Sequence, residues 1–499
     1  MSTQNQSLSL DFVSRKQGRL NQFSRQGCTF HNLYQLLEMP VWISKALDNV
    51  LKNKGNQTAG IDKQTSENYS TQEQKKQLIQ EIVDELRNKR YKPLPVRRTY
   101  IKKSNGKQRP LGIPTIKDRV VQEAIRMILE PIYEAKFYAH SYGFRPERNT
   151  HHAMSRIHYL TANPRIGYNW IIEGDISDCF GTIKHSILMR IIRRTIKDRK
   201  ILYLIRSMLK AGYLENRTHY KTTQGTPQGG VISPLLANIY LNELDQYVYQ
   251  QYDKLPYHKR RKRKKQIPPT PRTIVRYADD FVVLVRGSLK EAQKIKENLS
   301  RFLSEELHMN LSQEKTLITH IDQGFDFLGF NVRRFQDRRQ MDKNRYVVHI
   351  KPSKKSIEKL KHKIRKLKKL IQNGTDLKYI ITRTNQILRG WGYYFRIGPV
   401  KQQFNKLDWW IWNLYFKALY KRHKGRKYRS WRKHFLEYTH PYSFDINPQH
   451  KMYTQRGIGI RLMETQKDKK KYRCMNITCL SFIPVQYAKI HNQQNPYSL

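Results

Sequence analysis

The chain has 499 residues, with 95 Lys and Arg against 40 Asp and Glu and a formal net charge of +55. It is long enough for several hydrophobic cores, and its charge calls for a polyanionic partner. Apolar residues at 38 % and aromatics at 11 % exclude a chain disordered throughout, which leaves a folded nucleic-acid binder.

Residues 1 to 30 are polar, with Asp11 as the only acid, and hold no apolar core of the kind a signal peptide needs. They suit an RNA-contacting arm or an organellar transit peptide. No run of about 18 apolar residues occurs, so membrane insertion is not expected. Cys28, Cys179, Cys474 and Cys479 are too few and too scattered for a disulfide scaffold and point to a reducing compartment. No repeat of solenoid type stands out.

From Tyr91 to Phe330 helical and strand-like apolar stretches alternate, predicting an α+β core. In Trp170–Phe180 (WIIEGDISDCF) an apolar strand runs into Asp175 and Asp178. Thr223–Asp245 (TQGTPQGGVISPLLANIYLNELD) opens on Gly225, Pro227, Gly229 and Gly230 and continues as an apolar helix. The glycines allow close backbone approach to a ligand, and the helix start favours phosphate. The segment His258–Arg272 (HKRRKRKKQIPPTPR) reads as an exposed basic loop. Thr273–Val285 (TIVRYADDFVVLV) predicts two strands joined by a tight turn that bears Asp279 and Asp280. Carboxylates at the ends of neighbouring strands suit a pair of divalent cations about 3.5–4 Å apart and phosphoryl transfer. Mg²⁺ is the natural occupant of a site built from carboxylates and substrate phosphates, and Mn²⁺ is an acceptable substitute.

Beyond Pro352, Ile357, Leu360, Ile364, Leu367 and Ile371 recur at helical spacing, with Lys and Arg at most positions between them. This predicts an amphipathic helix with a basic outer face, from which Lys354, Lys355, Lys361, Lys366 and Lys368 project toward phosphates. A second helical stretch, Asn385–Tyr420, is dense in aromatics, including Trp391, Trp409, Trp410 and Trp412. Most of these rings suit a core and a few suit stacking on bases.

The order acid, glycine loop, acid pair resembles the reverse transcriptases, most closely those encoded by group II introns. YADD (Tyr277–Asp280) resembles the catalytic hairpin, GDISDCF the first metal-binding strand, and QGTPQGG with SPLLANIYLNELD the template and nucleotide loop and its helix. KSNGKQRPLGIPTIKDRVVQEAI, SYGFRPERNTHHA, LSQEKT and FDFLGF extend the likeness. So do Asn53–Gly55 with Gly60–Asp62 upstream and LRGWGYYF downstream.

The resemblance implies a right-hand polymerase, with fingers and an antiparallel palm sheet, followed by an all-α thumb or maturase domain and a basic C-terminal tail. The implied segments are 1–90 (N-terminal extension), 91–340 (fingers and palm), 341–435 (thumb) and 436–499 (tail, binding DNA or RNA). It implies that Asp175, Asp279 and Asp280 bind the metals with help from the backbone at Ile176. Phe180 would exclude a 2′-hydroxyl, Lys103 (or Lys102) and Arg109 would hold the triphosphate, Gln228 would contact nucleotide and template, and Lys315 would protonate leaving pyrophosphate. The implied partners are the chain's own group II intron RNA, an RNA template, a DNA primer or target DNA, and deoxynucleoside triphosphates. The implied location is the bacterial cytoplasm at the nucleoid, or an organelle.

The C-terminus departs from the family, since Cys474 and Cys479 form one pair where the family's HNH endonuclease has two. Two alternatives remain open from sequence: a domesticated relative in defence or repair, and an RNA-binding splicing factor with an idle polymerase site.

Overall fold

The computed structural model describes residues 3–102, 106, 108–162, 167–256, 260, 269–336 and 346–422. The basic loop His258–Arg272 lies largely outside these residues, and Lys103, Cys474, Cys479 and the tail lie wholly outside them. Backbone contacts separate two units, residues 3–153 with 174–317 and residues 154–173 with 318–422. The strands are β1 (Val96–Lys102), β2 (Gln108–Ile113), β3 (Trp170–Asp175), β4 (Tyr213–Glu215), β5 (Thr218–Tyr220), β6 (Arg272–Tyr277), β7 (Asp280–Val285), β8 (Leu317–His320), β9 (Phe325–Phe327), β10 (Phe330–Gln336) and β11 (Tyr346–Pro352).

The first unit is built on helix Ile116–Glu134, which Thr115 caps and which is buried along most of its length. Helix Pro40–Lys52 lays Trp42, Ile43, Ala46, Leu47 and Val50 into the core, and the Trp42 indole donates to the Ala124 carbonyl at 3.0 Å. Pro131 interrupts the long helix; having no amide hydrogen, it cannot satisfy the Met127 carbonyl four residues back. The N-terminal helix Thr3–Arg25 satisfies it instead. Gln17 donates to the Met127 carbonyl at 2.9 Å, Asn21 to that of Pro131 at 2.8 Å and Ser24 to that of Ile132 at 2.7 Å. The stretch 11–25 of the polar N-terminus is therefore a docked helix.

The loop through Gly55–Ala59 is held by two arginines. Arg119 donates to the Gly55 and Thr58 carbonyls at 2.8 and 2.5 Å, and Arg97 donates to that of Ala59 at 2.7 Å. A four-stranded sheet in the order β2-β1-β4-β5 lies beyond it, antiparallel except where β1 meets β4. β6 and β7 form the expected hairpin.

Within that hairpin Arg276 is fully buried, at 0 % side-chain exposure, and pairs with equally buried Asp245 from helix Ser233–Gln251. Its guanidinium donates to both Asp245 oxygens, to the Asn238 side chain at 2.9 Å and to the Ala278 carbonyl at 2.8 Å. Its backbone exchanges hydrogen bonds with His140 and Tyr142 at 3.0 and 2.9 Å. A second buried pair, Arg145 with Glu134 at 2.8 Å, fixes the same loop, because Arg145 also donates to the Tyr138 and Ser141 carbonyls.

In the second unit β9, β10 and β11 form an antiparallel sheet, Phe330 pairing with Phe327 on one side and Pro352 on the other. β11 thus precedes the helices within the segment 341–435. Helix Lys354–Gln372 is capped by Ser353 and buries Leu360, Ile364, Leu367 and Ile371, as the periodicity predicts; Ile357 is only partly covered. The aromatic stretch Asn385–Tyr420 is not one helix. Leu377–Phe395 and Lys401–Arg422 are separate, because Arg396–Val400 contains Pro399, which has no amide hydrogen to continue the ladder. Their Ile380, Ile381, Leu388, Leu407, Ile411 and Tyr415 close the core against the basic helix. Trp391, Trp410 and Trp412 pack at its margin, whereas Trp409 is 58 % exposed.

Removing one partner of a buried ion pair strands the other charge. Asp245→Ala is therefore expected to destabilise the protein by about 3–5 kcal/mol, read as a lowered denaturant midpoint.

Candidate active site

β3 ends at Asp175, and the chain just past it is stitched to Asn310–Ser312. The Ser177 amide donates to the Asn310 carbonyl at 3.0 Å, the Ser312 amide donates to the Asp175 carbonyl at 2.8 Å, and Ile176 bridges Leu311. A turn closed by the Lys315 and Thr316 amides on the Ser312 carbonyl then returns the Lys315 ammonium to within 2.6 Å of Asp175 Oδ2. That hydrogen bond holds the Lys315 pKa above its ordinary value.

In the hairpin Tyr277 pairs with Asp280, so Ala278 and Asp279 form the two-residue turn. Ala278 sits in the left-handed region at φ 60°, a strain of about 1–2 kcal/mol for a residue with a side chain. The Arg276 hydrogen bond to its carbonyl offsets that strain. Gly143 lies against the turn so closely that a Cβ there would collide with the Ala278 amide nitrogen.

Phe180 follows Asp178 into a single helical turn, Cys179–Thr182, and is not on a strand. Its ring is half-buried and meets Phe144 edge-on at 6.4 Å. The glycine loop docks on this turn, with the Thr226 amide on the Phe180 carbonyl at 2.8 Å and the Gly225 amide on that of Ile183 at 2.7 Å. On its other side the Gln228 carbonyl accepts from the Gly112 amide of β2 at 2.8 Å. Gly229, at φ 123°, adopts a conformation that a side chain resists and passes within 2.6 Å, measured from a would-be Cβ, of the Gly112 carbonyl. β2 also carries exposed Arg109, opposite Ile101, and Lys102 pairs with Gln108.

The Asp175, Asp279 and Asp280 carboxylates and the Lys315 ammonium lie close enough to bear on one another's charge, with Ile176 next to Asp175, and one loop connects Phe180 and Gln228 to β2, which carries Arg109. The five lysines of the basic helix belong to the second unit. Lys354, Lys355 and Lys366 are exposed as expected. Lys361 and Lys368 do not project freely: both are half-buried, and Lys361 is paired with Glu358 at 2.8 Å and lies over the Trp410 ring. A lysine adjacent to the apolar stripe lays its stem along it.

Packing around its carboxyl group, then repulsion from Asp279 and Asp175, pushes the Asp280 pKa up to about 6 against the pull of Lys315. Burial, with Asp279 next, likewise lifts the Cys179 thiol to about 12, which leaves it inert. Among the described residues no three His, Cys, Asp or Glu side chains stand at metal-binding spacing. The donors are nonetheless all hard oxygens, and the repulsion recorded at Asp280 is what a hard divalent cation removes, so the residues fit such an ion. The sequence reading did not single out Arg276, Asn238 or Gly143. The available signal was an arginine inside an apolar strand, TIVRY, and an aspartate inside an otherwise apolar stretch of helix.

Residues 101–332 match the family model described as reverse transcriptase (RNA-dependent DNA polymerase), and residues 357–436 match that of the group II intron, maturase-specific domain. The chain is 38 % identical over 466 residues to the group II intron-encoded protein LtrA of Lactococcus lactis subsp. cremoris, covering 79 % of this chain and 75 % of that protein. It is 39 % identical over 322 residues to protein YkfC of Escherichia coli K12, covering 61 % and 84 % respectively. It is 27 % identical over 288 residues to the mitochondrial nuclear intron maturase 1 of Arabidopsis thaliana, covering 43 % and 40 %.

A carboxyl whose folded-state pKa exceeds its unfolded value binds its proton more tightly when folded, so its contribution to stability declines as pH rises between the two values. Asp280→Asn is accordingly expected to raise the melting temperature of the metal-free protein at pH 7.5 by about 2 °C. The gain should fade as pH drops from about 6 toward 4, a trend that melting curves across this window check.

Proposed function

The chain belongs to the group II intron-encoded proteins, which makes it an RNA-directed DNA polymerase with a maturase domain, and from this we propose how its residues divide the work. The polymerase depends on a divalent metal. Asp175, Asp279 and Asp280, with the backbone at Ile176, hold Mg²⁺, for which Mn²⁺ substitutes. Bound there, such ions activate the attacking hydroxyl and steady the leaving pyrophosphate.

Phe180 lies under the sugar and rejects a 2′-hydroxyl by its bulk. Arg109 and Lys103 hold the triphosphate, Arg109 by its bidentate fork. Gln228 positions nucleotide and template, and Lys315 delivers a proton to pyrophosphate as general acid. Lys354, Lys355 and Lys366 meet phosphates of intron RNA or of the copied duplex.

The segments divide as 1–90, 91–340, 341–435 and 436–499. The chain binds its own intron RNA, assists its splicing, and copies it into a DNA target by primed synthesis. The observation that supports this reading is the closeness of the Asp175 strand end to the Asp279–Asp280 turn, whose carboxylates repel one another, while one loop links Phe180 to β2. The three relatives named above give no support to a defence role or an idle site. Among the described residues no helix is long and apolar enough to cross a membrane, and the relatives include bacterial and mitochondrial proteins.

Asp279→Ala or Asp280→Ala should abolish primer extension on an RNA template while leaving splicing assistance intact; normal extension by either variant refutes the metal assignment. Phe180→Ala should raise ribonucleotide incorporation relative to deoxynucleotide in single-nucleotide extension. Replacing Lys354, Lys355 and Lys366 with Gln should flatten the plot of log affinity for RNA against log salt by about 2, with the melting temperature nearly unchanged.

A further inference from the structure

Helices Lys354–Gln372 and Lys401–Arg422 line a cavity of about 580 Å³, bounded by Ile357, Lys361, Gln403, Asn405, Lys406 and Leu407 together with Trp409 and Trp410. Its volume falls in the range of small-ligand sites. The two indoles are not equivalent. Trp410 is covered by cations, with Lys361 at 5.7 Å and Arg365 at 5.4 Å from its ring. Trp409 is 58 % exposed, and no aromatic or cationic side chain covers its ring among the described residues.

A single exposed indole needs no explanation by itself; this one stands at the rim of a cavity whose buried amide oxygens are unmet. The amide oxygens of Gln403 and Asn405 are buried and meet no donor among the described residues, a costly condition that natural proteins rarely leave in place. Both residues line the cavity, so an amide that turns inward can reach a ligand. Apolar walls alone would suit any hydrophobic occupant. A bare ring, two amides in search of donors and two lysines at one cavity fit something planar, edge-polar and anionic.

We propose that this cavity takes one unstacked base of single-stranded RNA, an assignment that rests on the maturase reading and deepens it. The base stacks on Trp409, its edge meets the Gln403 and Asn405 amides, and its phosphates lie against Lys361 and Lys406. Stacking supplies affinity that tolerates sequence, the amides add a preference among bases, and the lysines add the salt dependence.

The test uses the full chain and a short single-stranded RNA bearing a central 4-thiouridine. After irradiation, adducts are expected on the peptide containing Gln403–Trp410. Trp409→Ala should weaken binding of this oligomer about ten-fold without altering the salt slope, and Trp409→Phe should restore most of the loss. Lys361→Gln with Lys406→Gln should instead flatten the slope by about 1.4. RNA binding with adducts only elsewhere, or full affinity in Trp409→Ala, overturns the pocket and leaves the maturase reading standing. A chain that binds no RNA overturns the maturase reading itself.

Discussion

A guanidinium sealed at zero exposure inside an apolar hairpin must have its charge and donors answered, and this requirement sets the geometry of the acidic turn. Arg276 is answered by Asp245 and Asn238 from one helix and by the carbonyl of Ala278 from the turn itself. Because the helix that supplies Asp245 follows directly from the glycine loop, one buried charge fixes the hairpin, the helix and the loop together. The backbone bonds of Arg276 to His140 and Tyr142 bring in the SYGF segment as well. The acidic turn is positioned by contacts behind it, which leaves the carboxylates of Asp279 and Asp280 out of that support.

The front of the hairpin shows the opposite condition. Asp280 is crowded by two other carboxylates and holds its proton more tightly than an ordinary aspartate, and Ala278 occupies a backbone region that disfavours side chains. Lys315 brings one positive charge into this crowd through Asp175. Local disagreement concentrated at a reactive site, with full satisfaction immediately behind it, is the pattern expected where stability is given up for function.

Much of this was legible in the sequence because it depends on local pattern. Alternation around ADD gave the hairpin, the spacing of Leu360, Ile364, Leu367 and Ile371 gave the basic helix, and the order of acid and glycine segments gave the family. What was not legible depends on partners distant in the chain. Nothing near Arg276 in sequence names Asp245 as its counter-ion, and nothing near Lys361 indicates that Trp410 will hold it. The break at Pro399 was readable, yet the surrounding aromatics masked it as one long helical run. The docking of the first helix was not readable either, since its contacts come from Gln17, Asn21 and Ser24 on a segment whose polarity suggested exposure.

That docking has a consequence for biogenesis. The carbonyls freed around Pro131 are met by side chains about 110 residues earlier in the chain. At an elongation rate of roughly 5–20 residues per second, the first helix leaves the ribosome some 5–20 s before its acceptors exist. During that interval the basic segment lacks the surface of helix Ile116–Glu134, its larger partner, beside a ribosome and a messenger that are both polyanions. Its polar composition suits that wait, because these three hydrogen bonds cannot all form before Ile132 has been made.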